Sequence, residues 1–247
     1  MKKIGLLILA GWVFALTGDE LTQKMNDRKT PIDSKVDLRM TLTNKKGKTR
    51  TSSLLSINKD DGEKQIIWFL SPADDKGVSF LKIEHDGRDD EMRIWLPAFK
   101  KIRRISAKKR SDSFMGSDMS YEDLSSRKLD EFTFTLIGQA VYDSISCYLL
   151  ESIPTGDIRT EYSRHITWVD STLLIPLKEE SYDKSRQLLK EKYFFYTIIK
   201  EYQFLKKVHV TNIQKNHSTT LNFDNIELDT GVADDLFHER YLKRLPK

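Results

Sequence analysis

The strongest constraint on this chain is a succession of strand-length segments, several of them apolar on both faces, each closed by a turn. In Gln65 to Leu70 one face carries Ile66, Trp68 and Leu70, and the other carries Ile67 and Phe69. Tyr193 to Ile199 repeats the pattern, with Phe194, Tyr196 and Ile198 opposing Tyr193, Phe195 and Ile199. An antiparallel sheet with one wetted face would alternate apolar and polar residues cleanly. Here one face must pack on a helix or loop while the other faces an interior. A wide interior would be an apolar cavity able to take a lipid; a narrow one would be a filled core. The pattern alone leaves both open.

The period-2 reading predicts strands over Val36–Leu42, Thr49–Ile57, Gln65–Leu70, Val78–Glu84 and Met92–Leu96. Further strands are expected at Phe132–Ile137, Ser144–Ser152, Glu161–Val169, Leu173–Tyr182, Tyr193–Lys200, Phe204–Gln214 and Thr219–Leu228. Asn44-Lys45-Lys46-Gly47 supplies a hairpin turn, and Asp60-Asp61-Gly62 and Asp86-Gly87 supply two more. A short helix is expected over Asp19–Arg28, offering Leu21 and Met25 to a core, and a final helix over Asp234–Leu245. No Pro-, Gly- or Ser-rich linker divides the chain and no period repeats, so the expectation is one antiparallel meander of about a dozen strands.

Residues 1–18 read as a secretory signal peptide. Lys2 and Lys3 precede an apolar stretch from Ile4 to Leu16, which is too short to span a bilayer comfortably. An uncleaved anchor is the alternative. The domain is then expected over residues 19–247, and no later run is apolar and long enough to cross a membrane. The formal charge of +4 falls to about +2 without Lys2 and Lys3, so positive character is local, which argues against a generally basic nucleic-acid protein. The single cysteine, Cys147, excludes an internal disulfide, and its neighbours Ile145, Tyr148 and Leu149 favour a buried, inert thiol. No cysteine sits near the leader to accept a lipid anchor.

The local charge lies in Lys100 to Arg110, seven cations in eleven positions with no acid among them. Charge at that density must stay in water. The run reads either as a solvated hairpin or as a surface for anionic headgroups or an acidic partner. It lacks the interleaved aromatics of a nucleic-acid site. It leads into Phe114-Met115-Gly116-Ser117 and then the acidic Tyr121-Glu122-Asp123.

No catalytic set emerges. The five histidines show no ligand spacing, and there is no nucleophile elbow, phosphate-binding glycine loop or CxxC. His165 and His209, on predicted strands, read as structural residues. Asp118, Glu122 and Asp123 fit no known cation loop and read as helix caps or partners for the basic run. Neither a cofactor nor a metal is expected, and the chain reads as a non-enzyme.

The string LPAFKKIRRISAKKRSDSFMGSDMSYEDL resembles the signature of the outer-membrane lipoprotein-sorting family of LolA-like periplasmic proteins. Phe114-Met115-Gly116-Ser117-Asp118 and Tyr121-Glu122-Asp123-Leu124 stand in the family's order. Trp168-Val169-Asp170, Ile175-Pro176-Leu177-Lys178, Tyr182-Asp183 and the terminal Asp234-Asp235-Leu236-Phe237 with Arg240-Tyr241-Leu242 agree as well. Met119 stands where an aromatic is common. The resemblance implies a mainly β fold: a single, strongly curved, incomplete antiparallel β-barrel with helices and loops covering its open face. It further implies a soluble periplasmic carrier of a lipid or lipoprotein acyl chain, working with an inner-membrane transporter or an outer-membrane acceptor. An interaction or sensor module accessory to an envelope transporter is the alternative. From amphipathic position, Trp68, Leu70, Trp95, Phe114, Met115 and Trp168 are expected to line the apolar cavity. Lys100, Lys101, Arg103 and Arg104 are expected to meet a headgroup or partner.

Overall fold

The computed structural model describes residues 16–156 and 158–246. The predicted leader falls almost wholly outside them. A helix, α1 (Gly18–Asn26), is followed by thirteen strands. These are β1 (Asp33–Thr43), β2 (Thr49–Lys59), β3 (Lys64–Ser71), β4 (Ser79–Ile83), β5 (Glu91–Leu96) and β6 (Lys101–Arg104) in the first half. The second half holds β7 (Phe132–Tyr142), β8 (Ile145–Pro154), β9 (Tyr162–Asp170), β10 (Pro176–Asp183), β11 (Leu188–Ile199), β12 (Tyr202–Asn212) and β13 (His217–Leu228).

All thirteen form one antiparallel sheet in the order β6-β5-β4-β3-β2-β1-β13-β12-β11-β10-β9-β8-β7. The sheet does not close: β6 and β7 are its two edges. The chain therefore runs outward from β1 to one edge, crosses to the other, and returns strand by strand until β13 pairs with β1. The crossing is residues 105–131, which contain the Phe114–Leu124 string. Incomplete closure and mainly β composition match the expected architecture.

Local chemistry explains the elements. Asn44 Oδ1 accepts from the backbone N–H of Lys46 and Lys48, and Gly47 takes φ +74°, closing the predicted β1–β2 hairpin. Thr17 and Glu20 form a reciprocal capping box that starts α1. Leu21 is buried, and α1 rests on edge strand β7 through Gly18, where an added Cβ would stand 2.3 Å from the Phe134 carbonyl oxygen. A glycine is needed there because two backbones meet with no room for a side chain.

Two expectations are corrected. The basic run, in which no strand was expected, supplies one: Lys101–Arg104 pairs with β5 at the edge of the sheet. Exposed cations on an edge deter pairing with other chains. The C-terminal segment is not a helix: only 3₁₀ turns form, at Asp234–Leu236 and Glu239–Lys243. Its carbonyls are drawn to the sheet instead, with Trp68 Nε1 donating to Tyr241 O at 3.3 Å and Ser79 Oγ to Leu242 O at 2.6 Å. Phe237 and Leu242 thereby pack on Ile66, Trp68 and Leu81.

This packing resolves the two-faced strands. Ile66 and Trp68 of β3 lie under the C-terminal segment, whereas Ile67 and Phe69 join Val36, Leu38, Phe80 and Phe114 on the opposite, inner face.

Candidate functional site

The inner face holds two cavities. The first, about 520 Å³, is mainly apolar and is lined by Leu38 and Met40 of β1, Leu54 of β2, Ile67 of β3, Phe204 and Val208 of β12, and Leu221 and Phe223 of β13. These positions follow from the pleat, since residues two apart on each strand point inward. Phe114 closes part of this space. Its ring centroid lies 5.3 Å from Phe80, 5.7 Å from Tyr121 and 6.0 Å from Phe69, so the crossing segment is folded into the interior.

The second cavity, about 720 Å³, is polar. Asp61, Asp123, Arg127, Pro176, Glu179, Lys192 and Phe194 border both. Asp123, Arg127, Glu179 and Lys192 of that border form a buried network with Lys190 and Glu161. Arg127 donates to both oxygens of Glu179, at 2.6 and 2.8 Å. Lys192 Nζ stands 2.5 Å from Asp123 Oδ1 and 3.0 Å from Glu179 Oε1. Lys190 Nζ reaches Glu161 at 2.6 Å, the Tyr162 hydroxyl at 2.6 Å and Asp123 at 3.2 Å. Thr167 and Ser181 hydroxyls donate to Glu179 as well.

Burial by itself would raise the Asp123 and Glu179 carboxyls. The Lys192 and Lys190 charges outweigh it at Asp123, and the Arg127 and Lys192 charges outweigh it at Glu179, holding both well below the ordinary carboxylate range. His165, 1% exposed, lies 2.9 Å from Ser181 Oγ and 3.1 Å from Arg127. Burial first, and the Arg127 charge second, lower its pKa to about 4, so it is neutral at physiological pH. Three cations (Arg127, Lys190, Lys192) thus face three anions (Asp123, Glu161, Glu179). Such a network holds a fixed geometry, and removing one member leaves a buried charge uncompensated.

Of the expected lining residues, Phe114 borders the apolar cavity. Met115 packs against the same inner core from a turn with φ +50°, but does not border the cavity. Trp68, Leu70 and Trp95 sit on the other face of the sheet, beneath the C-terminal segment. Trp168 lines neither cavity; Lys178 Nζ lies 4.6 Å from its ring centroid. Period-2 alternation separates two faces without saying which is concave, and large aromatics were assigned to the wrong one. Lys100, Lys101, Arg103 and Arg104 are exposed at the β6 edge. The Arg103 guanidinium lies 5.1 Å from the ring of Phe99, itself 61% exposed.

The acids after the basic run do not pair with its edge-strand cations. Asp118 instead accepts from Thr219 and joins His217 on β13, and Asp123 enters the buried network. Glu179, Lys190, Lys192 and Arg127 were missed by sequence reasoning. Their signal was parity: Leu177, Glu179 and Ser181 alternate on one face of β10, so a charge falls where burial is expected. Cys147 is fully buried and its thiol is raised by burial, as its neighbours indicated.

A family model described as an uncharacterized protein matches residues 61–244. A domain from Vibrio parahaemolyticus described as an outer membrane lipoprotein-sorting protein is 32% identical, covers 92% of this chain and 98% of its own, and superposes with a TM-score of 0.85. The chain belongs to the outer-membrane lipoprotein-sorting family. A DUF1329 family protein from Desulfovibrio piger is equally similar at 32% identity, 91% and 97% coverage and a TM-score of 0.84. A LolA superfamily protein from Nitrosomonas europaea shares the fold at 19% identity, 92% and 100% coverage and a TM-score of 0.72. No curated protein matches the chain. Among the described residues, no helix is long and apolar enough to cross a membrane.

Proposed function

We propose that this chain is a periplasmic carrier that holds the acyl chain of a lipid or lipoprotein and helps deliver it towards the outer membrane. The observation that carries the reading is the apolar cavity on the inner face of the open sheet, walled by β1–β3, β12, β13 and Phe114. Enclosing an acyl chain contributes about 0.8 kcal/mol per methylene, enough to hold it against water yet release it to a bilayer of equal apolarity. The lining that supports this role is Leu38, Met40, Leu54, Ile67, Phe114 and Phe223, in place of the tryptophans. The Vibrio relative, described as an outer membrane lipoprotein-sorting protein, supports the same reading.

The basic edge around β6 is the docking element of this proposal. Lys100, Lys101, Arg103 and Arg104 have no ion pair among the described residues and stand beside exposed Phe99. A cationic, partly apolar edge suits an anionic membrane surface or an acidic acceptor. If the chain were instead an interaction module, that edge alone would suffice.

Native mass spectrometry of the protein purified from a cell envelope tests the carrier reading. A co-purifying lipid, or binding of an acylated peptide, is expected; neither being found would overturn it. Arg103→Glu/Arg104→Glu separates the two roles, because it should weaken adhesion to anionic vesicles while leaving acyl-chain uptake intact.

A further inference from the structure

The two cavities differ in character and share a charged border, and their sizes limit the ligand. An apolar cavity of about 150 Å³ accepts one benzene, six carbons. On that scale about 520 Å³ accepts roughly twenty carbons, one long acyl chain. Three chains would need about three times that space. Beyond the Asp123–Arg127–Glu179–Lys192 border lies the polar cavity of about 720 Å³, with room for a headgroup.

The chemistry of the border narrows that headgroup. Asp123, Arg127, Glu179 and Lys192 are mutually bonded and sum to zero, which leaves Asp61 as the border's one charge with no ion pair among the described residues. An anionic head buried against it would lack a counter-charge, whereas a zwitterion brings an ammonium to Asp61. In the polar cavity's lining, Ser125 Oγ and the Nε of Arg110, whose Nη2 pairs with Asp90, are buried donors without a hydrogen-bond partner among the described residues, and they suit the oxygens of a phosphate. Asp61, which borders both cavities and has no ion pair among the described residues, suits an ammonium.

We propose that the ligand is a single-chain zwitterionic phospholipid, with its chain in the apolar cavity and its head in the polar one. This rests on the carrier reading and goes beyond it. A lipoprotein would have to leave its polypeptide outside, whereas the second cavity gives a lipid's head a place within.

The test is displacement of a fluorescent fatty-acid probe, with native mass spectrometry for stoichiometry. The competitors are lysophosphatidylethanolamine of sixteen carbons, palmitate, a diacyl phosphatidylethanolamine and a triacylated lipopeptide. The lysophospholipid is expected to bind 1:1 and at least tenfold more tightly than each of the others. Its affinity should rise about fourfold per added methylene and level off near twenty carbons. Ser125→Ala and Asp61→Asn should each weaken the lysophospholipid severalfold and leave palmitate unchanged. Palmitate or the lipopeptide binding as tightly as the lysophospholipid would overturn this inference while leaving a carrier standing. Failure of the probe and of all four competitors to bind would overturn both.

Discussion

Replacing Glu179 by leucine tests whether the interior is organised by its buried charges. Glu179 accepts two hydrogen bonds from Arg127 and one each from Lys192, Thr167 and Ser181. Its loss leaves three cations facing Asp123 and Glu161, and among the described residues Arg127 keeps only His165 as a side-chain hydrogen-bond partner. Breaking a buried pair from one side costs about 3–5 kcal/mol. For a chain of this length that corresponds to a fall in Tm of roughly 6–20 °C. The double variant Arg127→Met/Glu179→Leu restores charge balance, with Lys190 and Lys192 against Asp123 and Glu161. It should recover most of the loss and lie within about 1 kcal/mol of the parent. Urea unfolding at pH 7.5, followed by tryptophan fluorescence, measures all three proteins, and unchanged m-values would place the effect in stability. A single variant losing less than about 1 kcal/mol, or a double variant no more stable than the single, would refute the reasoning.

Further outcomes follow from the same geometry. His165 is held at about pH 4 when folded against an ordinary 6.5. Above pH 6.5 both states are neutral there, and between 6.5 and 4 only the unfolded chain takes the proton. Stability should therefore fall on acidification by roughly 3 kcal/mol, and His165→Asn should flatten a urea-midpoint profile over that window. Asp123 and Glu179, depressed when folded, add a further loss as pH drops below about 4, where the unfolded carboxylates begin to protonate. Met40→Trp should fill the apolar cavity, cost about 1–3 kcal/mol by overpacking, and lower acyl-chain affinity at least tenfold in probe displacement. Gly18→Ala forces a Cβ against the Phe134 backbone, so hydrogen exchange in α1 should accelerate while the inner strands stay protected.

Much of the fold was legible because sheet-forming segments announce themselves locally. Alternating apolar residues and the Asn44–Gly47 turn need no distant partner, and twelve of the thirteen strands lie where that pattern puts them. The remaining one, Lys101–Arg104, was hidden because a charged edge strand has one neighbour and only Ile102 to bury. The terminal helix failed because its amphipathic spacing is satisfied equally by 3₁₀ turns whose carbonyls bond the sheet.

The candidate site divides the same way. By itself, the order of residues determined a mainly β chain, two-faced strands, an inert Cys147, an exposed basic run and family membership through the Phe114–Leu124 string. Tertiary structure decided which face of each strand is concave, since the C-terminal segment covers Ile66 and Trp68 and leaves Ile67 and Phe69 inside. It also brought Asp123 and Arg127 of the crossing segment to Glu179, Lys190 and Lys192, more than fifty residues away. The physical reason is that alternation fixes a side chain's parity through its own backbone, whereas curvature and charge pairing depend on what closes over the sheet.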